Sequence, residues 1–122
     1  MKKYMIGSII LLLVVGAWFL KRENKEETVV DGALTIVLTE EGFSPDVVHI
    51  RNGTEVTFTT TTGKFFWPAS DLHPSHGIYP AFDPKEPLVA TESWSFVFDT
   101  PGEWSFHDHL SPYYTGVITV VP

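Results

Sequence analysis

Pro101-Gly102-Glu103-Trp104-Ser105-Phe106-His107-Asp108-His109-Leu110 decides how the chain is read. A Pro-Gly turn opens it, and Trp104 and Phe106 then alternate with polar residues, the period-two pattern of a half-buried strand. The same alternation recurs on both sides. Residues 34–39 (LTIVLT) place Leu34, Ile36 and Leu38 on one face, and residues 55–62 (EVTFTTTT) place Val56, Phe58 and Thr60. Residues 47–51 read as a short strand that ends at the Asn52-Gly53 turn. Residues 93–99 alternate Trp94, Phe96 and Phe98, and residues 115–121 (TGVITVV) close the chain. Gly42-Phe43-Ser44-Pro45 reads as a turn. No helical periodicity of useful length and no internal repeat interrupts the series. Six or more short strands with tight turns predict an all-β, antiparallel β-sandwich. Residues 63–92 are the exception, a long loop rich in proline and carrying Trp67, Tyr79 and Phe82. Loops of this length in a compact domain are functional or disordered, and the aromatics argue against disorder.

Residues 4–20, YMIGSIILLLVVGAWFL, carry no charge and are bracketed by Lys2, Lys3, Lys21 and Arg22. A run of this length reaches the short end of what spans a bilayer. A cleaved signal peptide would show the same start, but bulky Trp18 and Phe19 stand where a peptidase needs small side chains. The expectation is a retained single transmembrane helix over residues 1–22, a charged tether over 23–32, and a folded domain over 33–122. The domain is expected outside the cell membrane, anchored by that single pass. From residue 31 onward there are only three basic residues, Arg51, Lys64 and Lys85, against twelve acidic ones. Such a surface repels phosphate backbones, which excludes a nucleic-acid partner. The chain has no Cys, and its two Met are Met1 and Met5. That excludes disulfides, thiol catalysis and thiolate-ligated metal centres in the domain.

Four of the five histidines fall in two clusters, His73-Pro74-Ser75-His76 in the long loop and His107-Asp108-His109 at a strand end. Residues i and i+2 of a strand share a face, with Cα atoms about 6–7 Å apart. Their two imidazoles can therefore serve one metal ion at little entropic cost. His73, His76, His107 and His109 are the candidate metal ligands; no catalytic residue is identified. His49 stands alone beside Arg51 and reads as an exposed strand position. Parity puts Asp108 on the face of Trp104 and Phe106, where it would hydrogen-bond a loop amide or orient a ligand imidazole.

The stretches Gly42-Phe43-Ser44-Pro45, Val48-His49-Ile50, Gly53-Thr54-Glu55-Val56, Pro101-Gly102-Glu103-Trp104-Ser105-Phe106 and Thr115-Gly116-Val117-Ile118-Thr119-Val120 resemble the cupredoxin family across residues 34–121. The resemblance implies a cupredoxin-like Greek-key sandwich with a metal site at one end, most ligands coming from the loop before the last strand and one His from mid-chain. By position His73 or His76 takes that mid-chain role. The departures are specific. The family's Cys ligand falls on Asp108, its second His near Ser111 and its axial Met on Tyr114, so a blue copper centre is excluded. Gly102-Glu103-Trp104-Ser105-Phe106-His107-Asp108-His109-Leu110 is similar instead to the H-x-H stretch of multicopper oxidases, whose further domains and histidines this chain lacks. The whole looks like a Cys-less cupredoxin-like domain.

An all-imidazole set favours Cu(II) of the type 2 kind, with Zn(II) the ordinary competitor. Two functions follow as expectations. One is a membrane-anchored copper-binding protein in copper handling or electron transfer, passing copper or electrons to a protein partner. The other is a metal-free interaction module docking a partner through Trp67, Tyr79, Phe82, Tyr113 and Tyr114. A small enzyme would need an open metal position and a substrate pocket, and the sequence marks neither.

Overall fold

The structure, a computed structural model, describes residues 26–122. The expected transmembrane helix and most of the tether lie outside the described residues. Among the described residues no helix is long and apolar enough to cross a membrane.

Among the described residues are nine strands: β1 (Val29–Val30), β2 (Ala33–Thr39), β3 (Gly42–Ser44), β4 (Val47–Arg51), β5 (Glu55–Thr60), β6 (Pro68–Ser70), β7 (Trp94–Val97), β8 (Gly102–Asp108) and β9 (Ser111–Val121). They make a five-stranded sheet in the order β1-β4-β9-β8-β6 and a four-stranded sheet in the order β3-β2-β5-β7. The sheets are mixed. β1–β4, β2–β5 and β4–β9 pair in parallel, which corrects the all-antiparallel expectation. Alternation assigns each side chain to a face but carries no information about the neighbouring strand. A chain that crosses between two sheets lays non-consecutive strands side by side, and these can run the same way.

Two further differences are local. Gly42-Phe43-Ser44, read as turn, pairs with β2 as β3, because Phe43 reaches the core while Gly42 takes a φ of +121°. Val29–Val30, placed in the tether by the sequence, forms β1 against β4, so the sheet begins before residue 33.

The inward faces follow the predicted alternation. Ile36, Leu38, Val56 and Phe58 of one sheet meet Ile50, Phe106, Ile118 and Val120 of the other, all buried. The long loop completes this core. Phe82 is fully buried, its ring centred 5.4 Å from Phe58, 5.0 Å from Phe98 and 5.6 Å from Phe106. Phe66 and Leu88 exchange backbone hydrogen bonds and are buried beside it. The loop is thus pinned by its own aromatics. Gly116 allows the closest approach: a Cβ there would clash with the Phe106 ring and lie 2.6 Å from the Asp46 carbonyl oxygen.

Candidate metal centre

β6 builds the site. It pairs with β8 in the register Pro68↔Asp108, Ala69↔His107 and Ser70↔Phe106. Two bonds extend the ladder, Asp71 N–H to Ser105 O at 3.0 Å and His109 N–H to Trp67 O at 2.7 Å. Asp108 pairs with Ser111 across a tight hairpin, and the register shifts between His107 and Asp108. His107 and His109 share one side of the strand, as their parity requires, and Phe106, His107 and Asp108 are all buried because both faces are covered here. β6 runs directly into the His73–His76 segment. His76 N–H donates to Leu72 O at 2.7 Å, and Ser70 Oγ donates to His76 O at 2.8 Å. His76 sits at a φ of +54°, a left-handed conformation uncommon for a residue with a Cβ. These bonds hold it there.

All four predicted histidines meet at this end of the sandwich. One nitrogen from each of His73, His76, His107 and His109 lies within 4.8 Å of every other. His73 Nδ1 is 3.3 Å from His107 Nε2, and His76 Nε2 is 2.9 Å from His109 Nδ1. Metal–nitrogen bonds of about 2.0–2.1 Å at tetrahedral angles put neighbouring nitrogens about 3.3–3.4 Å apart. The spacing therefore suits one ion with little movement of the backbone. His76 and His107 are buried, His109 is half-buried and His73 is exposed, so the cluster opens to solvent on the His73 side.

Two carboxylates that sequence reasoning did not single out decide which nitrogens are free. Asp71 Oδ1 accepts from His107 Nδ1 at 2.6 Å, and Asp83 Oδ2 accepts from His76 Nδ1 at 2.7 Å. With Nδ1 occupied as donor, each ring presents the Nε2 lone pair to the cluster, the arrangement that orients metal-binding imidazoles. Asp83 also accepts from Trp67 Nε1 and from the Lys85 N–H, both at 2.8 Å. Burial opposes its charge, but the His76, Lys85 and Trp67 hydrogen bonds outweigh it and hold its carboxyl at about 2. Trp67 in turn packs its ring 4.4 Å from that of His109.

Burial lowers the His107 imidazole, with Asp71 opposing; His109 is lowered by burial and by the neighbouring histidines. Both shifts favour the neutral ring that a metal needs. Asp108, in the position the resemblance gives to a thiolate, accepts from the Trp67 N–H at 2.6 Å; burial raises its carboxyl. Of the two roles open to it, it takes the loop amide. Tyr114, in the axial position of the resemblance, turns its hydroxyl to Glu40 O at 2.9 Å. His49 stands apart on β4, paired with Thr119, its Nε2 3.3 Å from Glu27. The aromatic docking surface is corrected: Phe82 is fully buried, and Tyr79, 7% exposed, donates its hydroxyl to Asp99. Both are spent on the core.

No protein-family profile matches the chain, and no curated protein matches it. Solved structures do. A purple cupredoxin from Nitrosopumilus maritimus superposes with a TM-score of 0.58 at 19% identity, over 71% of this chain and 98% of that one. The Cu(I) form of a mutant amicyanin gives 0.63 at 17% identity, over 75% and 85% of the two chains. A mutant plastocyanin of fern gives 0.58 at 22% identity, over 72% and 100%. The domain has the cupredoxin fold, without cysteine and with a histidine cluster.

Proposed function

We propose that this chain is a copper-binding cupredoxin-like protein that handles copper as a single Cu(II) ion, held by His73, His76, His107 and His109 on a membrane-anchored, extracytoplasmic domain. The observation that carries the reading is the convergence of four imidazole nitrogens within 4.8 Å, two of them aimed by Asp83 and Asp71. Among common divalent ions an imidazole site of this kind binds copper most tightly. Zinc is the competitor, since tetrahedral nitrogen sites suit it as well. Copper bound here would supply a Lewis-acidic, redox-capable ion without the thiolate that gives blue copper its fast electron transfer. The protein's own contribution is to aim nitrogens, exclude water on the His76 and His107 side, and leave His73 exposed as the route of entry. The apolar run at residues 4–20 supports the anchored reading by its length and flanks.

The test is titration of the full chain with Cu(II) and Zn(II), followed calorimetrically and by visible absorption. The reading requires one ion per chain, a pale complex without intense blue absorption, and sharp loss of binding in His107→Ala and His109→Ala. His49→Ala should bind like the parent. Failure of the parent to take up either metal at micromolar concentration overturns the proposal.

A further inference from the structure

Resting on that ligand set, we infer that Asp71 and Asp83 make the centre selective for the divalent state of its metal, so that it keeps copper as Cu(II) and resists reduction. Four neutral imidazoles bring no charge of their own. The two carboxylates that hold His107 and His76 bring two negative charges, each one imidazole away from the converging nitrogens. Water reaches them little: the side chains of His107, His76 and Asp83 are 2%, 5% and 7% exposed, and that of Asp71 is partly covered at 23%. A doubly charged cation balances this pair of charges, whereas Cu(I) leaves a net negative charge where screening by water is weak.

The neighbouring charges do not reverse the sign. Lys85 Nζ lies 3.4 Å from Asp83, but that side chain is 66% exposed, and a solvated ammonium offsets little. Asp108, buried beside His107, adds further negative charge. The donor set acts in the same direction, because the domain holds no thiolate or thioether, the soft ligands that Cu(I) prefers. A centre built this way stores or passes on Cu(II). It does not shuttle electrons, which separates it functionally from a redox carrier on the same fold.

The experiment uses the full chain in mild detergent. Cu(II) affinity is measured by competition with nitrilotriacetate, and Cu(I) affinity anaerobically by competition with bathocuproine disulfonate. Asp71→Asn is the informative variant, because its Oδ1 still accepts the His107 Nδ1–H and only the charge is lost. Outer-shell changes of this type weaken metal binding about 10–100-fold. That loss is expected for Cu(II), while Cu(I) affinity changes far less. The Cu(II)/Cu(I) affinity ratio should then fall about tenfold or more, equivalent to a rise of about 59 mV per tenfold in a one-electron potential. Glu55→Gln removes an exposed carboxylate charge on β5, outside the histidine cluster, and should leave that ratio unchanged. Equal loss of both oxidation states in Asp71→Asn, or no change in the ratio, overturns the inference while the ligand set stands. A parent chain that binds neither ion overturns the ligand set itself, and this inference with it.

Discussion

Asp83→Ala is the substitution whose effect the structure sizes most closely. The carboxylate accepts short hydrogen bonds from His76 Nδ1, Trp67 Nε1 and the Lys85 N–H, and a longer one from the exposed Lys85 Nζ. Two routes give the magnitude. Holding a carboxyl at about 2 instead of 3.8 in the folded state corresponds to about 2–3 kcal/mol. Independently, truncation orphans the His76 Nδ1–H, in a ring 5% exposed, and the half-buried Trp67 Nε1–H. Stranding such donors costs about 1–3 kcal/mol each when water cannot reach them. The two routes agree on an expected loss of about 2–3 kcal/mol at pH 7. Its pH dependence has a definite sign. The folded carboxyl titrates below the unfolded one, so its contribution is complete above about 4 and disappears as pH falls toward about 2. The metal-free domain, residues 26–122, should be unfolded in urea and followed by tryptophan fluorescence. With a slope of about 1–1.5 kcal/mol/M, the midpoint should fall by about 2 M at neutral pH. The difference from the parent should shrink as the pH is lowered from about 4 to about 2.5. A difference below about 0.5 kcal/mol at pH 7, or one that persists undiminished in acid, refutes the account of this loop.

Gly116→Ala should destabilise the domain by about 3 kcal/mol, at the upper end for overpacking, because one clashing partner is the immovable Asp46 carbonyl; thermal unfolding by circular dichroism reads it. Phe82→Ala should lose about 3–5 kcal/mol and loosen residues 63–92, visible as faster amide exchange through the loop. The pH dependence of the metal-free domain follows from His107 and His109, both lowered in the folded state. As pH falls from about 6.5 the unfolded chain takes up protons first, so stability declines until the folded rings protonate too. Cu(II) binding should for the same reason persist somewhat below about pH 6.5 before protons displace it, which a titration series between about pH 7.5 and about 4.5 would show.

Much of the sandwich can be read from alternation alone, since Ile36, Leu38, Val56, Phe58, Phe106, Ile118 and Val120 all turn inward as their parity requires. Parity is silent on partners, and so the parallel pairing of β2 with β5 and of β4 with β9 could not be read from it. β6 lies within a proline-rich loop and holds only three residues, too few for a pattern. The four histidines declared themselves through the His107–His109 spacing and the His73–His76 repeat. Asp71 and Asp83 did not, because a lone carboxylate in an acidic chain has no spacing to mark it. Only the β6–β8 register and the return of the loop bring them to the rings. The aromatics of that loop misled in one respect. Exposure and burial give the same composition, and Phe82 and Tyr79 belong to the core.

The most direct test is a crystal structure of the copper-loaded domain with anomalous diffraction recorded at the copper edge. A single peak bonded to Nε2 of His76 and His107 and to Nδ1 of His73 and His109, with Asp71 and Asp83 still on the outer nitrogens, is the predicted result. Copper bound elsewhere, or a ligand set lacking His107 or His109, would contradict it.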